Sequence, residues 1–152
     1  MTARTASITA ENIVAGDELP MLSIPITRTL IVAGAIASRD YQDVHHDAEL
    51  AKQRGSKDIF MNILTTNGLV GRYVTDWSGP DSIIEKISIR LGAPNYPDDT
   101  MQMTGRVASA DSSSGAVTLE ITGTNSLGNH VVGTVELTVP TQVQVSGRKA
   151  DR

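Results

Sequence analysis

Cysteine is absent from this sequence, so disulfides, zinc–thiolate sites and a cysteine nucleophile are all excluded. Aromatic residues are scarce, at 3%, and any core must be aliphatic, built from Val, Ile, Leu, Ala and Met. No stretch is apolar and uncharged for long enough to span a membrane, and the polar segment Met1 to Glu11 lacks the apolar run of a signal peptide. The cytoplasm is the expected compartment. Positive charge is also short: 13 Lys and Arg stand against 17 Asp and Glu, for a net charge of −4. The nearest thing to a basic cluster is the tail Arg148-Lys149-Ala150-Asp151-Arg152, too short to make nucleic acid an expected partner.

What is present suits a folded enzyme-sized unit. With 152 residues, 39% of them hydrophobic and 20% charged, the chain can bury a core. It shows no internal repeat and no low-complexity linker, so we expect a single domain over 1–152, with 1–11 and 141–152 as loosely ordered ends.

The pattern between those ends changes twice. Leu19 to Ile26 carries Pro20 and Pro25 and suits an edge strand, because proline cannot donate to a ladder. Leu30 to Ala37 is an apolar run whose alanines and Gly34 favour a tightly packed helix. A longer helix is expected from Asp58, as its cap, to Trp77, stopped by Gly79-Pro80. Its apolar residues fall nearly all round, which predicts a buried helix roughly 30 Å long. Gly68 and Gly71 are expected to admit another backbone closely. Trp77 and Asp76 read as structural, with Trp77 closing the core.

From Ser82 onward the period becomes two. Ile87, Ile89 and Leu91, then Met101, Met103 and Val107, then Val117, Leu119 and Ile121, alternate with polar neighbours. Val131, Val135, Leu137 and Val139 share one face of a last strand. Turn-like residues at 94–99, 112–115 and 127–129 separate these strands. A long helix followed by an antiparallel meander is an α+β order, and a sheet wrapped around a central helix is the hotdog arrangement.

Chemistry concentrates in Arg39-Asp40-Tyr41-Gln42-Asp43-Val44-His45-His46-Asp47, the most polar stretch of the first half. A carboxylate and an imidazole holding one water can deprotonate it as it attacks Cβ of a conjugated double bond and return a proton to Cα. The competing readings are a solvated loop and a metal site, the latter without regular ligand spacing. His130 reads as an exposed turn residue.

Asp40-x4-His45-x-Asp47 resembles the loop signature of the MaoC-like (R)-specific enoyl-CoA hydratases, and Tyr96-Pro97-Asp98-Asp99-Thr100-Met101 resembles a turn of the same family. The likeness covers about residues 17 to 140. It implies a hotdog fold, Asp40 and His45 as catalytic residues, Asp47 in a supporting role, and no cofactor or metal. Met61-Asn62 stands where most members have His-Gly at the start of the central helix. Asn62 and Ile63 are therefore the candidates to bind the thioester oxygen, through helix N-terminal N–H groups or the Asn62 amide. Asp43 to Asp47, Gly55 to Phe60, Asn62 to Leu64 and Arg72 to Trp77 resemble more narrowly the small subunits of actinobacterial steroid side-chain hydratases. That likeness implies a CoA thioester of a steroid acid as substrate and a second MaoC-like subunit as partner. The rival expectations are a hotdog thioesterase and a non-catalytic subunit that only completes a partner's acyl tunnel.

Overall fold

The computed structural model describes residues 7–141. Five strands form one antiparallel sheet in the order β1-β3-β4-β5-β2. They are β1 (Glu18–Ile26), β2 (Ile83–Leu91), β3 (Asp99–Ala110), β4 (Ala116–Asn125) and β5 (Gly128–Thr138). Three α-helices, α1 (Arg28–Ala37), α2 (Ala48–Gln53) and α3 (Ile63–Ser78), all precede β2. The proline-bearing β1 lies at one edge of the sheet, where the missing N–H groups of Pro20 and Pro25 are tolerated. The apolar faces expected for β3, β4 and β5 all turn inward: Met101, Met103, Val107, Leu119, Ile121, Val131 and Leu137 are each at most 2% exposed. Against them lie Leu69, Val70, Tyr73 and Val74 of α3, in one continuous core. Burial of each such side chain contributes about 1.5–3 kcal/mol. This is a hotdog fold.

Helix α3 differs from its sequence reading in start and in burial. It begins at Ile63 with Asn62 as its cap, not at Asp58. The N–H of Phe60 goes to the Val44 carbonyl (3.1 Å) and that of Met61 to the Asn95 carbonyl (3.0 Å). Those bonds hold 59–61 extended between two other loops, while the Asp58 carboxylate is paired with Arg28. The helix therefore has 16 residues and spans about 24 Å. Only one side of it is buried, and Ile63 and Leu64 are each half exposed. Gly68 faces open space and Gly71 meets only Ile87, so the close approach expected there occurs elsewhere, at Gly34. The Gly79 stop holds: its φ of +89° suits glycine, and a Cβ there would lie 2.9 Å from the Ser7 nitrogen.

The segment 7–11 is not a loose leader. Ile8 N–H donates to the Ser78 carbonyl (3.0 Å) and Ala10 N–H to the Pro140 carbonyl (2.9 Å), and Ala10 is buried. Trp77 packs against the core nearby, as expected. Residues 1–6 and 142–152, which include the basic tail, lie outside the described residues.

His130 corrects a second expectation, since it is 1% exposed. The pairing of β4 with β5 shifts register between Gly123 and Thr124, and His130 and Val131 both end up buried. The ring bridges three elements: Nδ1–H donates to the Ala93 carbonyl (2.7 Å), and Nε2 accepts from the Thr66 hydroxyl (2.8 Å). Burial holds its pKa below the ordinary 6.5, only partly offset by the Ala93 bond. The unfolded chain therefore takes up a proton at this ring before the folded one does, so stability is fully present above pH 6.5 and falls as the pH drops below it. Melting temperature in the parent should decline across the acid window that opens below pH 6.5. In His130→Asn the whole curve should lie lower, with a shallower decline across that window.

Candidate active site

The site is assembled where α1 ends and α3 begins. The end of α1 is closed by two overlapping bonds: Asp40 N–H donates to the Ala35 carbonyl (2.9 Å) and Arg39 N–H to the Ile36 carbonyl (3.1 Å). This left-handed closure normally takes glycine, but Arg39 occupies it with φ of 57°, at a cost of about 1 kcal/mol or more. The reversal turns Asp40 back toward the start of α3.

His45 ends a single 3₁₀ turn, Asp43–His45, and is buried. Its Nδ1–H donates to the Phe60 carbonyl (2.7 Å), and the ring meets that of Phe60 edge-on at 5.0 Å. With Nδ1 occupied, Nε2 is directed at Asp40 Oδ2, 3.3 Å away. The extended segment before α3 thus fixes both the tautomer and the aim of the imidazole, through a main-chain carbonyl that no sequence motif reveals.

Asp40 is held from several sides. Its Oδ2 also accepts from the Asn62 side-chain amide (3.0 Å), and Oδ1 from the Gln42 N–H (3.4 Å). The Asn62 bond, joined by that from Gln42 and by electrostatic attraction to the neighbouring His45, holds the carboxyl below its usual range, against partial burial that pushes it up. Asn62 itself is buried and caps α3, its Oδ1 accepting from the Thr65 N–H (2.9 Å). A helix leaves its first N–H groups without intrahelical partners. Thr65 is satisfied by the cap, and the N–H groups of Ile63 and Leu64 have no partner among the described residues. They are open to a ligand oxygen, at the positive end of the helix dipole.

Of the residues singled out in the sequence, Asp40, His45, Asn62 and Ile63 are brought together. Asn62 departs from its expected role in one respect, because both N–H bonds of its amide are already made, to Ser38 Oγ (2.9 Å) and Asp40. Its side chain has none left for a thioester oxygen. Asp47 does not reach the pair. Its carboxylate caps α2 by accepting from Glu49 and Leu50 N–H (3.0 Å each), and so supports the loop from behind. His46 is exposed, with Nε2 against the Tyr41 carbonyl (3.2 Å). Asp43 pairs with Arg54 at 2.7 Å. Among the described residues, no three His, Cys, Asp or Glu side chains cluster to hold a metal ion.

Gly34, Ser38 and Arg39 were not flagged by the sequence as site residues. A Cβ on Gly34 would overlap the Thr65 hydroxyl and lie 2.8 Å from Thr65 Cγ2. The bare Gly34 backbone is what lets α1 close onto the first turn of α3.

A family model described as MaoC like domain matches residues 11–129. The chain belongs to the MaoC-like family. Among its relatives is the 3-oxo-4,17-pregnadiene-20-carboxyl-CoA hydratase beta subunit of Mycobacterium tuberculosis. That protein is 50% identical over 126 residues, covering 83% of this chain and 96% of the relative. A chain in the crystal structure of the ChsH1–ChsH2 complex of the same organism is 50% identical, with a TM-score of 0.80 over 83% of this MaoC-like chain and 98% of that one. The R-hydratase PhaJ1 of Pseudomonas aeruginosa is only 20% identical, yet matches with a TM-score of 0.82 over 90% of this chain and 88% of its own. That more distant likeness carries the fold alone.

The contact between Gly34 and Thr65 generates a test. Gly34→Ala should destabilise this MaoC-like chain by about 1–3 kcal/mol, the usual penalty for an overpacked contact. Thr65→Ala, which removes the overlapping atoms together with a buried hydroxyl that has no partner, should be close to neutral alone. In the double variant it should recover most of the loss, as read by denaturant midpoints in a double-mutant cycle.

Proposed function

We propose that this chain is the catalytic subunit of a hydratase that adds water reversibly to a trans-2-enoyl-CoA, giving a (3R)-hydroxyacyl-CoA. The observation that carries the reading is the meeting of Asp40 Oδ2 and His45 Nε2 at 3.3 Å beside the open N–H groups of α3. In this reading the pair binds one water on one face of the substrate. As its oxygen attacks Cβ, a proton leaves the water for the pair, negative charge moves onto the thioester oxygen, and a proton returns to Cα on the same face. Asp40, held well ionised, stays the acceptor that orients the water. His45 cycles the proton through Nε2, the ring nitrogen that is left facing Asp40 while Nδ1 is held by the Phe60 carbonyl. The Ile63 and Leu64 N–H groups stabilise the enolate oxygen, which carries more charge in the transition state than in the substrate. Every atom comes from water and substrate without redox change, so no cofactor enters the proposal.

The likeness to the 3-oxo-4,17-pregnadiene-20-carboxyl-CoA hydratase beta subunit supports a steroid side-chain enoyl-CoA as the substrate and steroid breakdown as the setting, and we place that activity in the cytoplasm. Asp40→Asn and His45→Ala should each lower hydration by at least ~10²-fold, the scale of an acid–base group, while both proteins stay folded. His46→Ala should leave turnover within a few-fold of the parent. Loss of the enoyl-thioester absorbance reports hydration, and a thiol reagent reports free CoA. Thiol release without hydration would replace this reading with a thioesterase.

The same reading includes a second MaoC-like subunit of different sequence, supported by the two-component ChsH1–ChsH2 complex. The two edges of the sheet are unequal. β1 carries two prolines and β2 has none, while each pairs inward with one register shift, between Leu19 and Leu22 in β1 and between Ile84 and Lys86 in β2. Among the described residues nothing pairs with the outer side of β2. Such an edge readily accepts another strand, and it adjoins the exposed side of α3, where Gly71 meets Ile87. A partner joined there would cover β2 and α3 together and wall in the open site. On mixing with the co-encoded subunit, the two chains should co-elute as a heteromer, with β2 amides gaining hydrogen-exchange protection and β1 amides unchanged. A monomer fully active on the steroid thioester would refute the assembly.

A further inference from the structure

We propose that Asn62 is a positioning residue for the catalytic pair, one amide that fastens the start of α3 to the Asp40 carboxylate and keeps that carboxylate aimed at His45. The inference deepens the hydratase reading and rests on it for the identity of the reaction. The geometry also has consequences that need no substrate.

An ordinary helix cap uses one oxygen and leaves the rest of its side chain to solvent. Asn62 is 2% exposed, and its amide has no unused capacity. Oδ1 accepts from Thr65 N–H at 2.9 Å, while the two N–H bonds of Nδ2 reach Ser38 Oγ at 2.9 Å and Asp40 Oδ2 at 3.0 Å. The amide orientation follows from this set, because a flipped group would set its NH₂ against the Thr65 N–H. Ser38 is a fixed anchor, its hydroxyl donating to the Gly34 carbonyl at 2.7 Å. The oxygen that Asn62 grips, Oδ2, is the one that faces His45 Nε2 at 3.3 Å. The Asn62 amide and the His45 ring, from different elements, thus converge on a single carboxylate oxygen.

The other charged groups around Asp40 come from its own loop and from the end of α2. Arg39 precedes it, and Asp43, His46 and Arg54 line the same opening, with Arg54 bound to Asp43 at 2.7 Å. From α3 the contact is the neutral amide of Asn62. It stabilises the ionised carboxylate without adding a charge beside the substrate, which neither Asp, Lys nor Arg at this position could do.

Two variants separate positioning from capping. Asn62→Ser and Asn62→Asp both keep an oxygen able to cap α3, and neither has the N–H that reaches Asp40. Each is assayed in the complex with its partner subunit on a steroid enoyl-CoA and a short straight-chain enoyl-CoA, and each is followed by carbon-13 NMR titration of the Asp40 carboxyl. Both variants should remain folded at the assay temperature, with a melting temperature somewhat below the parent's and lower in Asn62→Asp, whose new carboxylate is buried. We expect kcat to fall by about 10²-fold, the scale of a misplaced reacting group, with KM within a few-fold. The Asp40 titration midpoint should move upward in both, and further in Asn62→Asp, where a second carboxylate is introduced. Parent-like kcat together with an unmoved Asp40 titration in either folded variant would overturn the proposal and leave Asn62 a simple cap. If the parent complex hydrates neither thioester, the hydratase reading fails, while the carboxyl titration still decides whether Asn62 governs Asp40.

Discussion

The N–H groups of Phe60 and Met61 are bonded to two loops rather than to a helix, and the placement of the His45 ring, the Asn62 amide and the first N–H groups of α3 follows from that diversion. Because the Val44 and Asn95 carbonyls take those N–H groups, the chain stays extended for one more turn than its composition invites. The Phe60 carbonyl is thereby free to accept from His45 Nδ1. Asn62 becomes the cap, and Ile63 and Leu64 become the residues whose N–H groups are open. Had α3 begun at Asp58, those carbonyl and amide groups would have been consumed inside the helix. The candidate site would have lost its imidazole anchor and its unpaired N–H groups together.

Around that start the structure accepts local penalties that a purely structural sequence would avoid. Arg39 sits in the left-handed region where glycine is the ordinary choice, the Thr65 hydroxyl is buried without a partner, and α1 is pressed onto α3 at Gly34. Each lies within the join between α1 and α3, away from the sheet that supplies most of the buried apolar surface. The strands and the inner face of α3 hold the join in place. Strain of this kind persists where the surrounding structure determines the backbone so fully that the residue cannot relax.

The sequence reveals periodic features well and shared hydrogen bonds poorly. Alternation from Ile87 to Val139 locates the strands, since burial on one face repeats every two residues. Pro20 and Pro25 place β1 at an edge by removing donors. The Asp40–His45 spacing marks the loop whose two side chains meet at the candidate site. By contrast, the true start of α3 depends on carbonyls of Val44 and Asn95, distant in sequence from the N–H groups they accept. His130 is misjudged because the register shift beside Gly123 changes which residues of β5 turn inward, and a turn-like neighbourhood hides a buried ring. Gly68 and Gly71 look like contact points by composition, yet the close contact falls on Gly34, whose role depends on which helix lies across it.

The two histidines held by tertiary contacts show how one chemical group is put to opposite uses. Both donate Nδ1–H to a main-chain carbonyl at 2.7 Å, His45 to Phe60 and His130 to Ala93. What differs is the partner of the remaining nitrogen. His130 Nε2 meets a neutral hydroxyl that stabilises the uncharged ring, and burial reinforces that state. His45 Nε2 faces a carboxylate at the edge of the site, a charged partner that can accept from the ring whenever Nε2 carries a proton. In the proposed hydration the His45 ring changes charge during turnover and needs both states within reach, whereas a ring that joins β5 to α3 needs only one. The nature of the second partner, more than the histidine itself or its first bond, separates the candidate catalytic position from the structural one.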